Sequence, residues 1–250
     1  MIALPSPVAD LCAALGAIGG VEAVTIGGSR ATGTADGASD WDVGLYYRGD
    51  PDFTLLTRYG ELYPPGSWGR IMNGGAWLRI GGLKVDVLLR DLDVALHWSA
   101  QARQGRYEVD ALLGCLAGVP TYSLMAELAL NRVVAGALPS VAEFPTALVD
   151  TGRTRWRGHA DFSMTHARMR AERGDVVGTL GQAAKAVLET AHAVLCERGE
   201  WVLNEKHMVE RAGLARLQAR FSRVAPSGAA LRAWVEDLRA DLAGHPGAAD

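Results

Sequence analysis

The 250-residue chain lacks most of the features that would place it in a special class. It has three cysteines, Cys12, Cys115 and Cys196, far apart and with no CxxC pair. An odd, scattered set builds neither a disulfide framework nor a thiolate zinc site, so each thiol reads as a small apolar core residue. The six histidines show no HxxxH spacing, which argues against a zinc site of imidazoles. No apolar run approaches the ~20 residues that span a bilayer, so no membrane role is expected. The first twenty residues, MIALPSPVADLCAALGAIGG, carry no basic stretch and do not read as a secretion signal. The expected compartment is therefore the cytoplasm. Excess positive charge is missing too: Lys+Arg 25 against Asp+Glu 28 leaves −3. A dedicated duplex binder carries a basic surplus, so a nucleic-acid partner is not expected. What remains, 49% hydrophobic and 21% charged residues, suits one large or two small folded domains with a real core.

Periodicity divides the chain. Residues 7–17 repeat apolar positions at helical spacing. Val21–Ile26, VEAVTI, is a β-branched run ending at Gly27-Gly28, a strand entering a glycine turn. Ser29 is placed to open a short helix. The segment SDWDVGLYY alternates, with Trp41, Val43 and Leu45 on one face and Asp40, Asp42 and Gly44 on the other. Residues 52–62 read as a short helix. AWLRI and LKVDVLLR flank Gly81-Gly82 as a hairpin, and 91–103 read as a helix. From Thr121 the strand signals vanish, and helical periods fill 121–136, 152–173, 176–198, 204–222 and 227–243. The expected architecture is α+β: a small mixed-sheet domain with flanking helices at 1–118, then an all-helical bundle at 119–250. The closing GHPGAAD reads as a frayed tail.

Chemistry concentrates in one segment, Gly27-Gly28-Ser29, ten residues, then Asp40-Trp41-Asp42. Glycines let a backbone approach a ligand closely, and free N–H groups at a following helix start suit a phosphate. Ser29 adds a hydroxyl. Two carboxylates on one strand face are hard oxygen ligands suited to Mg²⁺. Asp86 lies in the apolar strand Lys84-Val85-Asp86-Val87-Leu88, where a charge needs a partner or a metal. It is either a third ligand or a salt-bridge partner of Lys84 or Arg79. Phosphate cradle plus paired carboxylates is equipment for metal-assisted phosphoryl or nucleotidyl transfer.

This arrangement resembles the nucleotidyltransferase superfamily that includes DNA polymerase β and the aminoglycoside nucleotidyltransferases. The signature is a Gly-Ser turn, a spacer of this length, Asp-x-Asp, and a later lone carboxylate on a strand. Here these are Gly28-Ser29, Asp40, Asp42 and Asp86, within about residues 21–90. The resemblance implies that Gly28 and Ser29 contact the β- and γ-phosphates of a nucleoside triphosphate. It implies that Asp40 and Asp42 bind two Mg²⁺ ions, and that Asp86 ligates the catalytic one and helps deprotonate the acceptor. Arg30 follows the serine and is either a phosphate contact or a surface residue.

The resemblance also implies a C-terminal helical domain that takes part in acceptor binding. On the helix near 178–198, Lys185, Glu189 and His192 share one flank. Glu189 is the candidate general base. The alternative is an i,i+4 ion pair with Lys185, worth ~0.3–0.5 kcal/mol. Asp86 and Glu127 are other candidate bases. Lys185 and Lys206 are each either a triphosphate contact or a surface cation. The expected reaction moves AMP from ATP, or a monophosphate from another triphosphate, to a hydroxyl of a small molecule of aminoglycoside or lincosamide type. Alternatives are an antitoxin-like adenylyltransferase acting on protein or RNA, and a non-catalytic nucleotide-binding module. A monomer and a homodimer are both compatible with the sequence.

Overall fold

A computed structural model describes residues 3–37, 39–141, 143–224 and 228–244. In chain order the N-terminal elements are α1 (Ser6–Gly16), β1 (Val21–Ile26), α2 (Gly28–Thr32), β2 (Trp41–Tyr47), a 3₁₀ turn at Thr54–Arg58, β3 (Gly60–Tyr63), α3 (Gly69–Met72), β4 (Gly74–Ile80), β5 (Leu83–Asp91) and α4 (Leu92–Arg103). Next come β6 (Val109–Leu112), β7 (Cys115–Pro120), α5 (Ser123–Leu130) and β8 (Arg132–Gly136). The rest is helical: α6 (Thr146–Glu172), α7 (Val176–Glu197), α8 (Met208–Arg211), a 3₁₀ turn at Ala215–Leu217, α9 (Gln218–Phe221) and α10 (Gly228–Ala243).

The fold is α+β, a mixed sheet with flanking helices followed by a helical bundle. Strand order in the sheet is β3-β4-β5-β2-β1-β8. Only β2 and β5 run parallel; the other neighbours are antiparallel. One sheet face buries Val24, Ile26, Val43, Leu45, Val87 and Leu89 against Val8, Leu11 and Leu15 of α1. The opposite face is covered at one end, where Leu92 of α4 and Leu128 of α5 pack on Ala23 and Tyr46. The other end of that face carries the acidic residues.

Two compact units form. The sheet unit holds Met1–Gln101 and Thr121–Glu143; the other holds Ala102–Pro120 and Phe144–Asp250. The division expected at 118/119 thus takes a different form. The hairpin β6–β7 belongs with the helical unit, and α5–β8 returns to the sheet. The helix expected over 121–136 stops at Asn131, whose backbone turns extended (ψ 150°). The β-branched run that follows pairs with β1 as the sixth strand. The end of the helix expected over 52–62 lies instead in strand β3, because pairing with β4 outweighs local apolar spacing. The helix expected over 204–222 is broken into α8, a 3₁₀ turn and α9, with Gly213 at φ +76° between them. Of the tail expected at 244–250, residues 245–250 lie outside the described residues.

In the helical unit, α6, α7 and α10 close over Met164, Ala167, Ala183, Leu195, Leu231, Trp234 and Leu238. Alanines at the contacts let the backbones approach. Asp175 caps α7 by accepting from the Gly178 N–H at 2.8 Å. Cys12 and Cys196 are buried thiols and Cys115 is half-buried, and none of the three is in a disulfide among the described residues.

Candidate active site

The site begins at the turn between β1 and α2. The Gly27 N–H donates to the Asp42 carbonyl at 2.8 Å, which fixes the turn against β2. Gly28 then takes φ +59°, the left-handed region that a side chain disfavours. A Cβ there would stand 1.9 Å from Asp42 Oδ2. Glycine is therefore required twice, by its conformation and by the close approach of a carboxylate. Ser29 follows half-buried at the start of α2.

Strand register supplies the rest. In the parallel pair, Asp42 stands opposite Asp86. In the antiparallel pair, Asp86 stands opposite Trp77, and Trp77 opposite Glu61 on the next strand. Laterally paired residues point to the same side of a sheet. Asp42, Asp86, Trp77 and Glu61 thus form one row across four strands, on the face that α1 does not cover. Asp42 and Asp86 are half-buried. Gly44, on the same face below Asp42, leaves no room for a Cβ because Thr25 Oγ1 would be 2.4 Å away.

Asp40 lies two residues before Asp42, just outside the strand. Lys84 Nζ stands 3.8 Å from Asp40 Oδ1, with the lysine exposed and the aspartate half-buried. So Lys84, offered by the sequence as a partner for Asp86, is found beside Asp40. The approach to Asp40 is held by Arg30. Its Nε donates to the Asp40 carbonyl at 3.1 Å and its Nη2 to the Ser39 carbonyl. The guanidinium also lies over the Trp41 ring, 4.2 Å from its centroid. Arg30 is committed to this loop.

Among the described residues, no three His, Cys, Asp or Glu side chains are placed to hold a metal by themselves. The donor set nonetheless fits Mg²⁺. That ion keeps several waters and is commonly bound by one or two carboxylates together with substrate phosphates. Asp42 and Asp86 side by side, with Gly28 against Asp42, meet that requirement.

Behind the acidic row lies a buried ion pair. Arg90 is 1% exposed and forks onto Glu127 of α5, with Nε–Oε2 2.6 Å and Nη2–Oε1 2.7 Å. Arg90 Nη1 also donates to the Met72 carbonyl at 2.7 Å. Glu127, considered as a base from sequence, is instead occupied in pinning α5 to the sheet.

The remaining candidates sit in the helical unit. Glu189 is 2% exposed, the one buried carboxylate among the described residues. Its Oε1 is 3.7 Å from Lys185 Nζ, and its Oε2 has no hydrogen-bond partner. Burial raises its pKa above the usual carboxylate value, opposed by a hydrogen bond from Ser163 and the charge of Lys185. The i,i+4 pair read from sequence is therefore present, but on a desolvated carboxylate. His192, one turn on, is fully buried and stacked on Trp156 at 4.2 Å and 9°. Lys206 is exposed, in the turn before α8; its N–H donates to Asn204 Oδ1 at 2.9 Å. The adjacent Glu205 accepts from the Leu116 and Ala117 N–H groups, so it holds the β6–β7 hairpin.

Residues 10–102 match the nucleotidyltransferase domain family. No curated protein matches the chain. Among solved structures, a nucleotidyltransferase-like protein from Exiguobacterium sibiricum 255-15 is 11% identical, over 95% of this chain and 72% of that one, with TM-score 0.48. An aminoglycoside 6-adenyltransferase from Bacillus subtilis is 10% identical, over 94% of this chain and 89% of that one, with TM-score 0.28.

Proposed function

We infer that the protein is a nucleotidyltransferase: residues 10–102 match the nucleotidyltransferase domain family, and the glycine turn and the three aspartates lie within them. It transfers AMP from ATP to a hydroxyl of a small molecule, of aminoglycoside or lincosamide type, and releases pyrophosphate. The observation that carries this reading is the contact of Gly28 with Asp42, with Asp86 in register beside it. One tight turn thereby brings backbone amides and two carboxylates to a single point.

The roles follow from the chemistry of each group. The amides of Gly28 and Ser29, with the Ser29 hydroxyl, hold the β- and γ-phosphates; α2 is a single turn, so local N–H groups do this rather than a long dipole. Asp42 and Asp86, joined by Asp40, are the residues that would hold Mg²⁺. When bound, the metal supplies charge neutralisation at the phosphates and acidifies the attacking hydroxyl. Arg30 fixes the Asp40 loop and acts as a positioning residue. The acceptor oxygen forms a bond to the α-phosphorus as the bond from that phosphorus to the bridging oxygen breaks, and pyrophosphate carries away the electron pair. Glu189 is the proposed base that takes the hydroxyl proton, since desolvation raises its affinity for protons. Asp86 is the other candidate. Lys185 and Lys206 are assigned to the triphosphate.

The test is pyrophosphate release with ATP, GTP, CTP and UTP plus Mg²⁺, against aminoglycosides, lincosamides, tRNA and lysate protein. The expected result is release that needs ATP and a small-molecule acceptor. In Asp42→Asn it falls ~100-fold or more, the scale of several kcal/mol of lost charge stabilisation. Release driven by tRNA or protein overturns the acceptor class. No release together with no Mg²⁺-dependent ATP binding overturns the reaction.

A further inference from the structure

Beside Asp86 stands a large side chain that the reaction above does not use. Trp77 is 53% exposed, on the open face of the sheet and directly opposite Asp86. It is not a stray surface aromatic. Tyr63 meets it edge-on at 4.8 Å, and Trp68 lies 5.2 Å from Tyr63 and 5.9 Å from Trp77. Trp68 occupies the space that Gly75 leaves open, since a Cβ there would stand 2.5 Å from its six-membered ring. The sheet thus contains a glycine recess that seats one indole, which with a tyrosine braces a second whose surface stays half in water. Leaving so much indole in solvent forgoes apolar burial that a ligand can recover. The next residue in the row is Glu61, exposed on edge strand β3 and hydrogen-bonded by the Tyr63 hydroxyl.

We propose that Trp77 and Glu61 form the acceptor subsite, with the acceptor's ring lying on the Trp77 indole and an ammonium group of that ring meeting Glu61. The inference rests on the nucleotidyl-transfer reading and adds the residues that select the acceptor. Its argument is positional. Two of the row's three carboxylates, Asp42 and Asp86, are assigned to the metal. The next two strands, β4 and β3, then offer one π-face and one carboxylate, reached along the sheet from Asp86. A π-face with an adjacent carboxylate favours a cationic ring over an anionic or purely aliphatic acceptor. A ring stacked on Trp77 also presents its hydroxyls toward Asp86, the next residue in the row.

The experiment titrates kanamycin A, neomycin and lincomycin into the full chain with Mg²⁺ and α,β-methylene-ATP, by calorimetry. Wild type is compared with Trp77→Ala, Trp77→Phe and Glu61→Gln. Trp77→Ala loses the contacts with Tyr63 and Trp68 and is expected to melt a few degrees lower while staying folded, whereas Trp77→Phe and Glu61→Gln are expected to melt close to wild type. The expected result is binding of at least one aminated ring to wild type, weakened about tenfold by Trp77→Ala and partly kept by Trp77→Phe. Glu61→Gln weakens it several-fold, and the nucleotide analogue binds all four proteins alike. In turnover, Trp77→Ala raises the acceptor KM and leaves the ATP KM unchanged. The proposal is overturned if Trp77→Ala binds the aminated ring as wild type does, or if wild type binds none of the three. Nucleotide binding in the same titrations separates the failures. If the analogue binds, only the subsite falls; if it does not, the transfer reading falls with it.

Discussion

At the residue scale the site depends on a position with no side chain. Gly28 combines φ +59° with an approach to Asp42 Oδ2 that excludes a Cβ. Gly28→Ala is expected to cost ~1–2 kcal/mol in backbone strain and to displace the Asp42 carboxylate. The melting temperature should therefore fall by a few degrees, while pyrophosphate release is lost almost completely. A variant that loses stability but keeps full activity would show that the contact with Asp42 has no catalytic part. Arg30 illustrates the opposite lesson. Its sequence position beside Ser29 leaves a phosphate contact and a surface residue both open, and in the fold its Nε and Nη2 donate to the carbonyls of Asp40 and Ser39. Only the folded loop reveals that commitment.

At the element scale, the Arg90–Glu127 fork decides how α5 and its strand β8 rejoin the sheet. Arg90 is four residues beyond Asp86 on the same face of β5, and Glu127 is the α5 residue that meets it. Removing one partner leaves a buried charge uncompensated, which costs ~3–5 kcal/mol. Glu127→Gln should lower the unfolding free energy by that amount, read as a lower urea midpoint at unchanged m, with no specific effect on the nucleotide KM while the protein stays folded. Much of the element layout was legible. The Gly81-Gly82 turn fixes the register of β4 on β5, since Ile80 pairs with Leu83 and Arg79 with Lys84. Counting outward from that turn places Trp77 opposite Asp86, so this pairing was available from sequence. Strand β8 was not. Arg132–Gly136 follows a helix without a glycine or proline break, and its largely exposed residues show no alternation.

At the scale of the whole molecule, acid stability carries a signature of the helical unit. His192 is buried with neither ring nitrogen hydrogen-bonded, and desolvation lowers its pKa from 6.5 to about 3. Below pH 6.5 the unfolded chain binds a proton here and the folded chain does not. The contribution of this residue is thus complete above 6.5 and lost as pH falls, at up to ~1.4 kcal/mol per pH unit. Glu189, with a raised pKa, acts with the opposite sign: its contribution is present below the ordinary carboxylate value and lost as pH rises through its folded value. His192→Phe keeps a ring on Trp156 and removes the histidine's share of the acid loss. Urea unfolding at pH 7 and pH 4.5 should show a smaller acid loss in the variant than in wild type. An equal loss would mean that the imidazole is hydrated in the folded protein.

Sequence alone determined the division into a sheet part and a helical part, the glycine turn, and the three aspartates, because these are local in period, turn chemistry or spacing. The parallel pairing of β2 with β5, which sets Asp42 beside Asp86, joins segments more than forty residues apart and is decided by tertiary structure. The same holds for β8, for the capture of Glu127 by Arg90, and for the burial of Glu189. Each depends on which face a distant element covers, and no local pattern in the chain records that choice.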